Sequence, residues 1–229
     1  MNELDLHIPK QSATLRMAVE EKIRQAIVSG VFKPGQRLVE RELCEMIGVG
    51  RTSIREALRQ LEAEGLITTY PHRGPVVSAI TYEEAEQLYK VRALLESFSG
   101  QEMAEKGSLE DIAKLEAAAV AFDQAARGSD KTVLIEAKTR FYGCLMDGGG
   151  NMFVRQMLTL LHNRVTILRV TSMTQPGRLQ HSLEEIKDIV AAIRDRNGPR
   201  AAAACRYHIE MASKTALEYL RKLPPSTEV

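Results

Sequence analysis

One helical segment, followed at once by a change of periodicity, constrains the fold of this chain most. The segment GVGRTSIREALRQLEAEG, residues 48–65, has an apolar face at 100° per residue, made by Ile54, Ala57, Leu58 and Leu61. After Gly65, the stretch LITTYPHRGPVVSAI carries β-branched and aromatic residues on both sides of a polar tip. Such a stretch is typical of a two-stranded ribbon. The sequence therefore predicts a helix that is followed directly by a β-hairpin.

Two further helices precede this segment. Residues 15–30 carry apolar side chains at helical spacing, and Pro34-Gly35 marks a turn. A second short helix fits residues 39–47 and ends at Gly48. Ser53 and Glu56 have the spacing of a capping box for the third helix, with Thr52 as the alternative cap. Three helices and a hairpin within residues 1–78 predict a winged helix-turn-helix.

The remainder of the chain, residues 79–229, is predicted to be helical throughout. Thr81 and Ser108 begin capping boxes, Asp130 and Asn151 are helix caps, and Pro199 suits a first helical turn. These signals divide the segment into six helices. The predicted fold class is mostly α, with an N-terminal winged helix-turn-helix and a C-terminal six-helix all-α bundle.

Composition limits where the protein acts. The net charge is only +1, so a surface for nucleic acid must arise from segregation of charge in space. The three cysteines are distant and odd in number, which favours reduced thiols over a disulfide framework. No stretch has the apolar length of a signal peptide or a membrane span. We therefore expect a cytoplasmic protein with no membrane partner.

Three arginines lie along the polar side of the third helix. Arg51, Arg55 and Arg59 follow one another at i, i+4 spacing. In a helix-turn-helix the second helix of the pair enters the major groove, where the arginine fork bonds the two acceptors of guanine. The alternative is a solvated face on which Glu56 and Glu62 pair with the arginines. The following hairpin favours the DNA-binding interpretation.

Other residues of the same segment suit contacts with the DNA backbone and the minor groove. Thr52 and Ser53, together with the N–H groups of the helix start, are placed to hold a phosphate. His72 and Arg73 lie at the hairpin tip, from which basic side chains can enter the neighbouring minor groove.

The run KPGQRLVERELCEMIGVGRTSIREALRQLEAEGLITTYPHRGPVV resembles the DNA-binding domain of the GntR family of bacterial transcription regulators. The family's PG-x-x-L turn and its R-x-x-x-R-E-A-L-x-x-L-E-x-E-G-L segment are matched without a gap from Pro34 to Gly74. The resemblance implies that operator contacts fall on Arg41, Arg51, Thr52, Ser53, Arg55 and Gly74. Gly50 departs from the pattern, because a hydroxyl residue is common there, so one contact is expected to be missing.

The helical remainder resembles the FCD effector domain of the FadR-type subgroup, in its six-helix, VanR-like branch. The matching pieces are VRALLE, the Gly150-Asn151 helix start and the segment before Gly198. Many such domains hold a metal with an Asp-x-x-x-His pair and two histidines 22 residues apart. The corresponding positions here are Lys138, Tyr142, Ile186 and His208. Since only the last is a metal ligand of the family type, we expect no metal and no cofactor.

A fixed cation in place of the metal suggests a different ligand chemistry. Lys138 and Arg92 can meet the carboxylate of a small organic acid, with hydrogen bonds from Tyr142 and His208. Arg164 is a further candidate for the same effector-binding cavity. Two plainer alternatives stay open, namely that Lys138 is a solvated helix position and that His208 is a satisfied core histidine.

These features predict a regulator of transcription. No nucleophile–base pair, phosphate loop or paired carboxylates indicate an enzyme. We expect a homodimeric repressor, as the family resemblance implies, that binds double-stranded operator DNA under the control of a small carboxylate-bearing metabolite. One alternative is a dimeric architectural DNA-binding protein without a ligand, and another is an enzyme with a DNA-binding appendage.

The apolar stripe of Leu88, Val91, Leu95 and Phe98 serves either the core or a dimer contact.

Overall fold

The computed structural model describes residues 11–173, 175 and 177–222. The chain divides into two compact units, Met1–Ala79 and Ile80–Val229, one residue beyond the boundary expected after Ser78. None of the helices described within those ranges is long and apolar enough to cross a membrane.

From residue 11 onward, the first unit contains three helices and a hairpin. They are α1 (Gln11–Val28), α2 (Glu40–Ile47), α3 (Arg51–Ala63), β1 (Ile67–Tyr70) and β2 (Gly74–Val77). The α2 helix ends at Gly48, whose φ of 76° is left-handed and whose N–H donates to the carbonyl of Cys44. The strands pair antiparallel, from Ile67 opposite Val77 to Tyr70 opposite Gly74. This arrangement confirms the predicted winged helix-turn-helix.

The start of α3 differs from the sequence-based expectation. The helix begins at Arg51 with Gly50 as its N-cap, and no side chain caps it. Ser53 and Thr52 therefore lie inside the first turn, and the predicted capping box is wrong. The physical reason is the short Gly48-Val49-Gly50 connection, which lets the helix start before the first hydroxyl residue. The predicted apolar face of the helix is correct, since all four of its members are buried.

The second unit contains six helices in its described residues, which confirms the predicted all-α bundle. They are α4 (Tyr82–Lys106), α5 (Leu109–Ala126), α6 (Lys131–Gly148), α7 (Met152–Met173), α8 (Arg178–Arg194) and α9 (Gly198–Lys222). Both capping boxes form, at Thr81 and Ser108. The Oδ1 atoms of Asp130 and Asn151 accept N–H groups at the starts of α6 and α7, as predicted.

The first and last helices of this unit pack closely against each other. The Ser97 hydroxyl donates to the carbonyl of Ala202 on α9 at 2.9 Å. At Gly100 the helices come so near that an added Cβ would lie 2.5 Å from the Sγ of Cys205. Burial raises the pKa of the Cys205 thiol, and all three cysteines are free, in keeping with the expected reduced thiols.

Candidate functional site

The exposed side of α3 carries the predicted DNA-binding residues of that helix. Arg51, Thr52, Arg55 and Arg59 are exposed, and Ser53 is half-buried. The opposite side packs into the core of the first unit. One helix therefore presents three guanidinium groups and two hydroxyls on the side away from the core.

The α2 helix positions the central arginine of this face. The Nε of Arg55 donates to both carboxylate oxygens of Glu40, each at 2.9 Å. This pair takes the place of the anticipated pairing with Glu56, while Glu62 instead accepts the backbone N–H of Thr69. Because Arg55 is 59% exposed, the pair is a weak surface interaction. The two hydrogen bonds engage the Nε of Arg55 and hold its guanidinium group beside α2.

The helix start and the hairpin tip complete this surface. Since Gly50 has no side chain, no hydroxyl covers the first-turn N–H groups of α3. At the tip, His72 is exposed and takes a left-handed backbone with φ of 63°, which is unusual outside glycine. Arg73 and Gly74 are half-buried, and Arg41 on α2 is exposed 3.9 Å from Glu45. The structure thus leaves every predicted DNA-contacting residue at least partly accessible.

The second unit encloses a cluster of polar side chains within its helical core, here called the polar cluster. Five helices contribute to it, namely α4, α6, α7, α8 and α9. Its members are Arg92, Glu96, Lys138, Tyr142, His162, Arg178, Ser182, Glu185 and His208, all of them buried.

The α4 and α7 helices meet through an ion pair and a histidine. The Nη2 of Arg92 lies 2.7 Å from the Oε1 of Glu96, one turn along the same helix. The same oxygen lies 2.9 Å from the Nε2 of His162. Burial opposes ionisation of Glu96, but the charge of Arg92 and the contact with His162 outweigh it and lower its pKa to about 2. Glu96 is therefore a carboxylate at neutral pH.

A second chain of contacts joins α8, α9 and α6. Arg178 donates two hydrogen bonds to the carboxylate of Glu185, at 2.9 and 2.8 Å. The Nδ1 of His208 lies 2.5 Å from Glu185, and its Nε2 lies 2.9 Å from the hydroxyl of Tyr142. Burial lowers the pKa of His208 to about 4, so the imidazole is neutral at pH 7. Its Nδ1–H therefore donates to Glu185, and its Nε2 accepts from Tyr142.

Lys138 brings a third cation into the polar cluster. Its side chain is only 3% exposed, which excludes the alternative of a solvated helix position. The Nζ donates to the Ser182 hydroxyl at 2.8 Å and lies 5.4 and 6.0 Å from the ring centroids of Phe122 and Tyr142. The Tyr142 ring also faces Arg92, whose guanidinium carbon is 5.8 Å from its centroid. Both cations therefore lie within about 6 Å of the centre of the Tyr142 ring.

The structure brings together four of the five predicted effector residues. Arg92, Lys138, Tyr142 and His208 belong to the polar cluster, whereas Arg164 is exposed on α7. Sequence reasoning did not find Glu96, nor the α8 residues that complete the cluster. Their signal was present, because Arg178, Ser182 and Glu185 share one face of α8 with apolar core residues.

The residues at the family's metal positions do not fit a metal. Ile186 is buried and apolar, and both ring nitrogens of His208 are engaged by Glu185 and Tyr142. Over residues 11–173, 175 and 177–222, no group of three or more His, Cys, Asp or Glu side chains is placed to hold a metal ion. The buried ammonium of Lys138 occupies the position of the first family ligand.

An open cleft of about 520 Å³ adjoins the polar cluster. It lies between α8 and α9, and Arg178 and Glu185 form part of its wall. A smaller cleft of about 240 Å³ shares Arg178, His181, Thr215 and Glu218 with it. Accessible space therefore reaches the cluster from the Arg178–Glu185 side, while Lys138 lies deeper.

Comparison with known families supports this division of the chain. Residues 15–77 match the family described as bacterial regulatory proteins, gntR family. Residues 87–211, more than half of the chain, match the family described as the FCD domain.

Known proteins with the same organisation are regulators of transcription. The chain is 27% identical over 177 residues to the uncharacterized HTH-type transcriptional regulator YdhC of Bacillus subtilis. The aligned region covers 77% of this chain and 79% of YdhC. It is 26% identical to the galactonate operon transcriptional repressor of Escherichia coli, over 84% of this chain and 92% of the repressor. Among solved structures, Escherichia coli McbR/YncC has the same fold, with a TM-score of 0.73 at 20% identity over 91% of this chain and 97% of McbR.

Proposed function

Because the chain belongs to the GntR family of bacterial regulatory proteins and its second unit is an FCD domain, we propose that it is a homodimeric repressor controlled by a small organic acid. The first unit binds double-stranded operator DNA, and the second binds the acid. The observation that carries this proposal is the polar cluster, in which buried cations lie inside the domain that senses ligands in this family. We place its action in the cytoplasm, with the DNA it binds, and assign it no catalytic role.

The DNA-binding face follows from the geometry of α3. The N-terminal end of α3 enters the major groove of the operator, where Arg51 and Arg55 contact base edges. The uncovered N–H groups after Gly50 hold a phosphate, which makes glycine at this position a binding feature in its own right. His72 at the hairpin tip contacts the adjacent minor groove.

Selection of bound sequences from random DNA tests this half of the proposal. The selected sequences should form an inverted repeat, and Arg55→Ala should weaken binding to them by roughly tenfold or more at fixed salt. Arg127→Ala is the matched control, because Arg127 is likewise an exposed arginine paired with a carboxylate, at the end of α5 in the other unit. Equal affinities of the three proteins would contradict the assignment of α3 as the DNA-binding helix.

The acid is proposed to bind beside Lys138. The Nζ of Lys138 donates to a neutral hydroxyl, Ser182, which an acid's carboxylate can replace with a stronger, charge-assisted hydrogen bond. Arg92, whose guanidinium carbon lies 5.8 Å from the Tyr142 ring centroid, adds a second positive charge near the same ring. His208 holds the Tyr142 hydroxyl in place and is thus a positioning residue.

Thermal denaturation in the presence of organic acids tests this second half. An acid at a hundredfold excess over its Kd should stabilise the protein by about 2.7 kcal/mol, and the effect should persist in EDTA. Lys138→Met retains the buried stem but removes the charge, so it should abolish the response and leave DNA binding unchanged. If no acid stabilises the protein, the dimeric architectural alternative is favoured. A response that survives in Lys138→Met would contradict the role of Lys138.

A second copy of this chain is the proposed occupant of the outward faces of α4 and α7. The four apolar residues predicted as one stripe of α4 lie on two different faces of the helix. Leu88 and Leu95 pack in the core, whereas Val91 and Phe98 are exposed. With Leu94, and with Phe153, Met157 and Leu160 on α7, these exposed side chains are 40–66% accessible. Apolar stripes of this kind suit a dimer contact, and a two-fold operator requires a two-fold protein.

Light scattering tests the assembly. The wild-type protein should have about twice the 25.5 kDa mass of one chain. Phe98→Glu should lower the measured mass toward that of one chain, whereas Val120→Glu, on an exposed position of α5, should not. A wild-type species of one chain's mass at micromolar concentration would contradict the proposal.

A further inference from the structure

The ion pair of Glu40 and Arg55 joins the first residue of α2 to the exposed side of α3, 15 positions further along the chain. We propose that Glu40 determines base specificity in DNA recognition, although it bonds the arginine and not the DNA. It occupies one edge of the Arg55 guanidinium group and neutralises its charge, so that the pair reads guanine as one unit. This inference rests on the proposed function, because it takes Arg55 to contact a base edge in the major groove.

The hydrogen bonds of the pair restrict how Arg55 can bind a base. A guanidinium group has two edges that can each donate two parallel hydrogen bonds, one formed by Nε and one Nη and the other by the two Nη atoms. The Nε of Arg55 donates to both carboxylate oxygens of Glu40, each at 2.9 Å. Because Nε carries a single N–H, a bidentate contact through its edge is no longer available. The edge formed by the two Nη atoms therefore supplies the donors for O6 and N7 of guanine.

The pair also differs in charge from the other arginines of α3. Arg51 and Arg59 are exposed and form no salt bridge with any residue that the structure describes, whereas Arg55 and Glu40 together have no net charge. A phosphate that approaches Arg55 also meets the negative charge of Glu40, but the edge of a guanine carries no net charge. Glu40 therefore disfavours a contact with the DNA backbone, which carries no sequence information, and favours a contact with a base.

Packing of the two helices holds the carboxylate in place. The α2 helix contacts α3, and Leu43 of α2 is buried, as are Ile54 and Leu58 of α3. The ion pair itself lies near the surface, with side-chain exposures of 59% for Arg55 and 31% for Glu40, so it contributes little to folding. Removal of the Glu40 carboxylate should consequently alter recognition and leave the fold intact.

Selection from one random-sequence duplex library tests this inference on the full-length protein. Arg55→Ala first identifies the base pair that Arg55 reads, which is the position where the wild type prefers guanine and this variant does not. The wild-type preference there should be about tenfold, and Glu40→Ala should reduce it to about threefold or less. The preferences at all other positions should stay as in the wild type.

Affinity for an unselected duplex gives a second measurement that separates the two residues. Glu40→Ala should bind such a duplex at least as tightly as the wild type does, because a negative charge has been removed from the DNA-binding face. Arg55→Ala should bind it more weakly, because a positive charge has been removed. Weaker binding by Glu40→Ala would contradict the proposed role of its charge.

Two further variants distinguish the hydrogen bond from a general effect on α2. Glu40→Gln keeps a carbonyl oxygen that can accept from the Nε of Arg55, so it should keep more of the guanine preference than Glu40→Ala. Glu42→Ala is the matched control, because it removes the other carboxylate of the first turn of α2, and it should leave the preference unchanged. A loss in Glu40→Gln as large as that in Glu40→Ala would overturn the role of the Nε contact.

The outcomes separate this inference from the proposed function. An unchanged guanine preference in Glu40→Ala, at a position where Arg55→Ala has none, would overturn the inference and leave the DNA-binding face standing. Equal losses at every position, or the same loss in Glu42→Ala, would also overturn it, since they would report a structural effect on α2. If Arg55→Ala removes the preference at no position, the inference and the assignment of Arg55 to a base are both wrong.

Discussion

Replacement of Arg92 by methionine tests the energetics of the polar cluster most directly. The substitution keeps an apolar stem at this position but removes the guanidinium group. The Glu96 carboxylate then loses its ion pair and keeps its contact with His162. The lowering of the Glu96 pKa from 4.5 to about 2 corresponds to about 3 kcal/mol of stability. Removal of one partner of a buried ion pair costs about 3–5 kcal/mol in other proteins, which is the same magnitude.

The effect should depend on pH in a defined direction. Because folding lowers the pKa of Glu96, its contribution to the free energy of unfolding is present in full above pH 4.5 and is lost as the pH falls toward 2. Wild-type protein should lose about 3 kcal/mol over that range from this group, whereas Arg92→Met should lose little. At neutral pH the variant should melt lower by roughly 6–12 °C, since 1 kcal/mol shifts the melting temperature of a domain of this size by about 2–4 °C.

Circular dichroism is the appropriate assay, because the chain has no tryptophan. Two further variants define the cause of the loss. Arg92→Met/Glu96→Met replaces both charges and should recover most of the stability. Lys90→Met removes a solvated partner of an i,i+4 pair on the same helix and should have little effect. A double variant as unstable as Arg92→Met would refute the reasoning, because the cost would then come from the arginine's packing against Tyr89 and Tyr142.

Three further predictions follow from particular contacts. Gly100→Ala should lower the urea midpoint, because overpacking against α9 should reduce the free energy of unfolding by about 1–3 kcal/mol. Gly143→Ala should raise the midpoint, because an added Cβ there meets nothing within 4 Å and alanine favours the helix. A shift of the same sign in both variants would contradict the packing argument. Lys138→Met should raise the pKa of His208 above about 4 in an NMR titration, because the Lys138 charge adds to burial in lowering it; an unchanged value would show that the two side chains do not interact. Thr81→Ala should destabilise the start of α4 by about 1 kcal/mol in urea titrations followed by circular dichroism, and a loss near zero would show that the capping box contributes nothing.

Local chemistry made most of the fold predictable from the sequence. The glycines, the hydroxyl and carboxylate caps and the change of period after Gly65 act on neighbouring residues, so their structures follow from short stretches. The start of α3 was missed because Gly50, with no side chain to recognise, is the N-cap. The α8 members of the polar cluster were missed for another reason. Ser182 and Glu185 acquire their roles only when α8 packs against Lys138 and His208, and that long-range packing is not encoded in any one segment.

The contact between α4 and α9 also determines the order in which the two units can fold during synthesis. The hydrogen bond from Ser97 to Ala202 spans 105 residues, and Gly100 meets Cys205 across the same interval. The second unit therefore cannot close until its last helix has left the ribosome. The hairpin of the first unit is complete by Val77, so that unit can fold while most of the chain is still to be translated. Until α9 has been synthesised, α4 lacks the helix that covers it. The nascent chain then exposes an apolar surface to which a chaperone can bind.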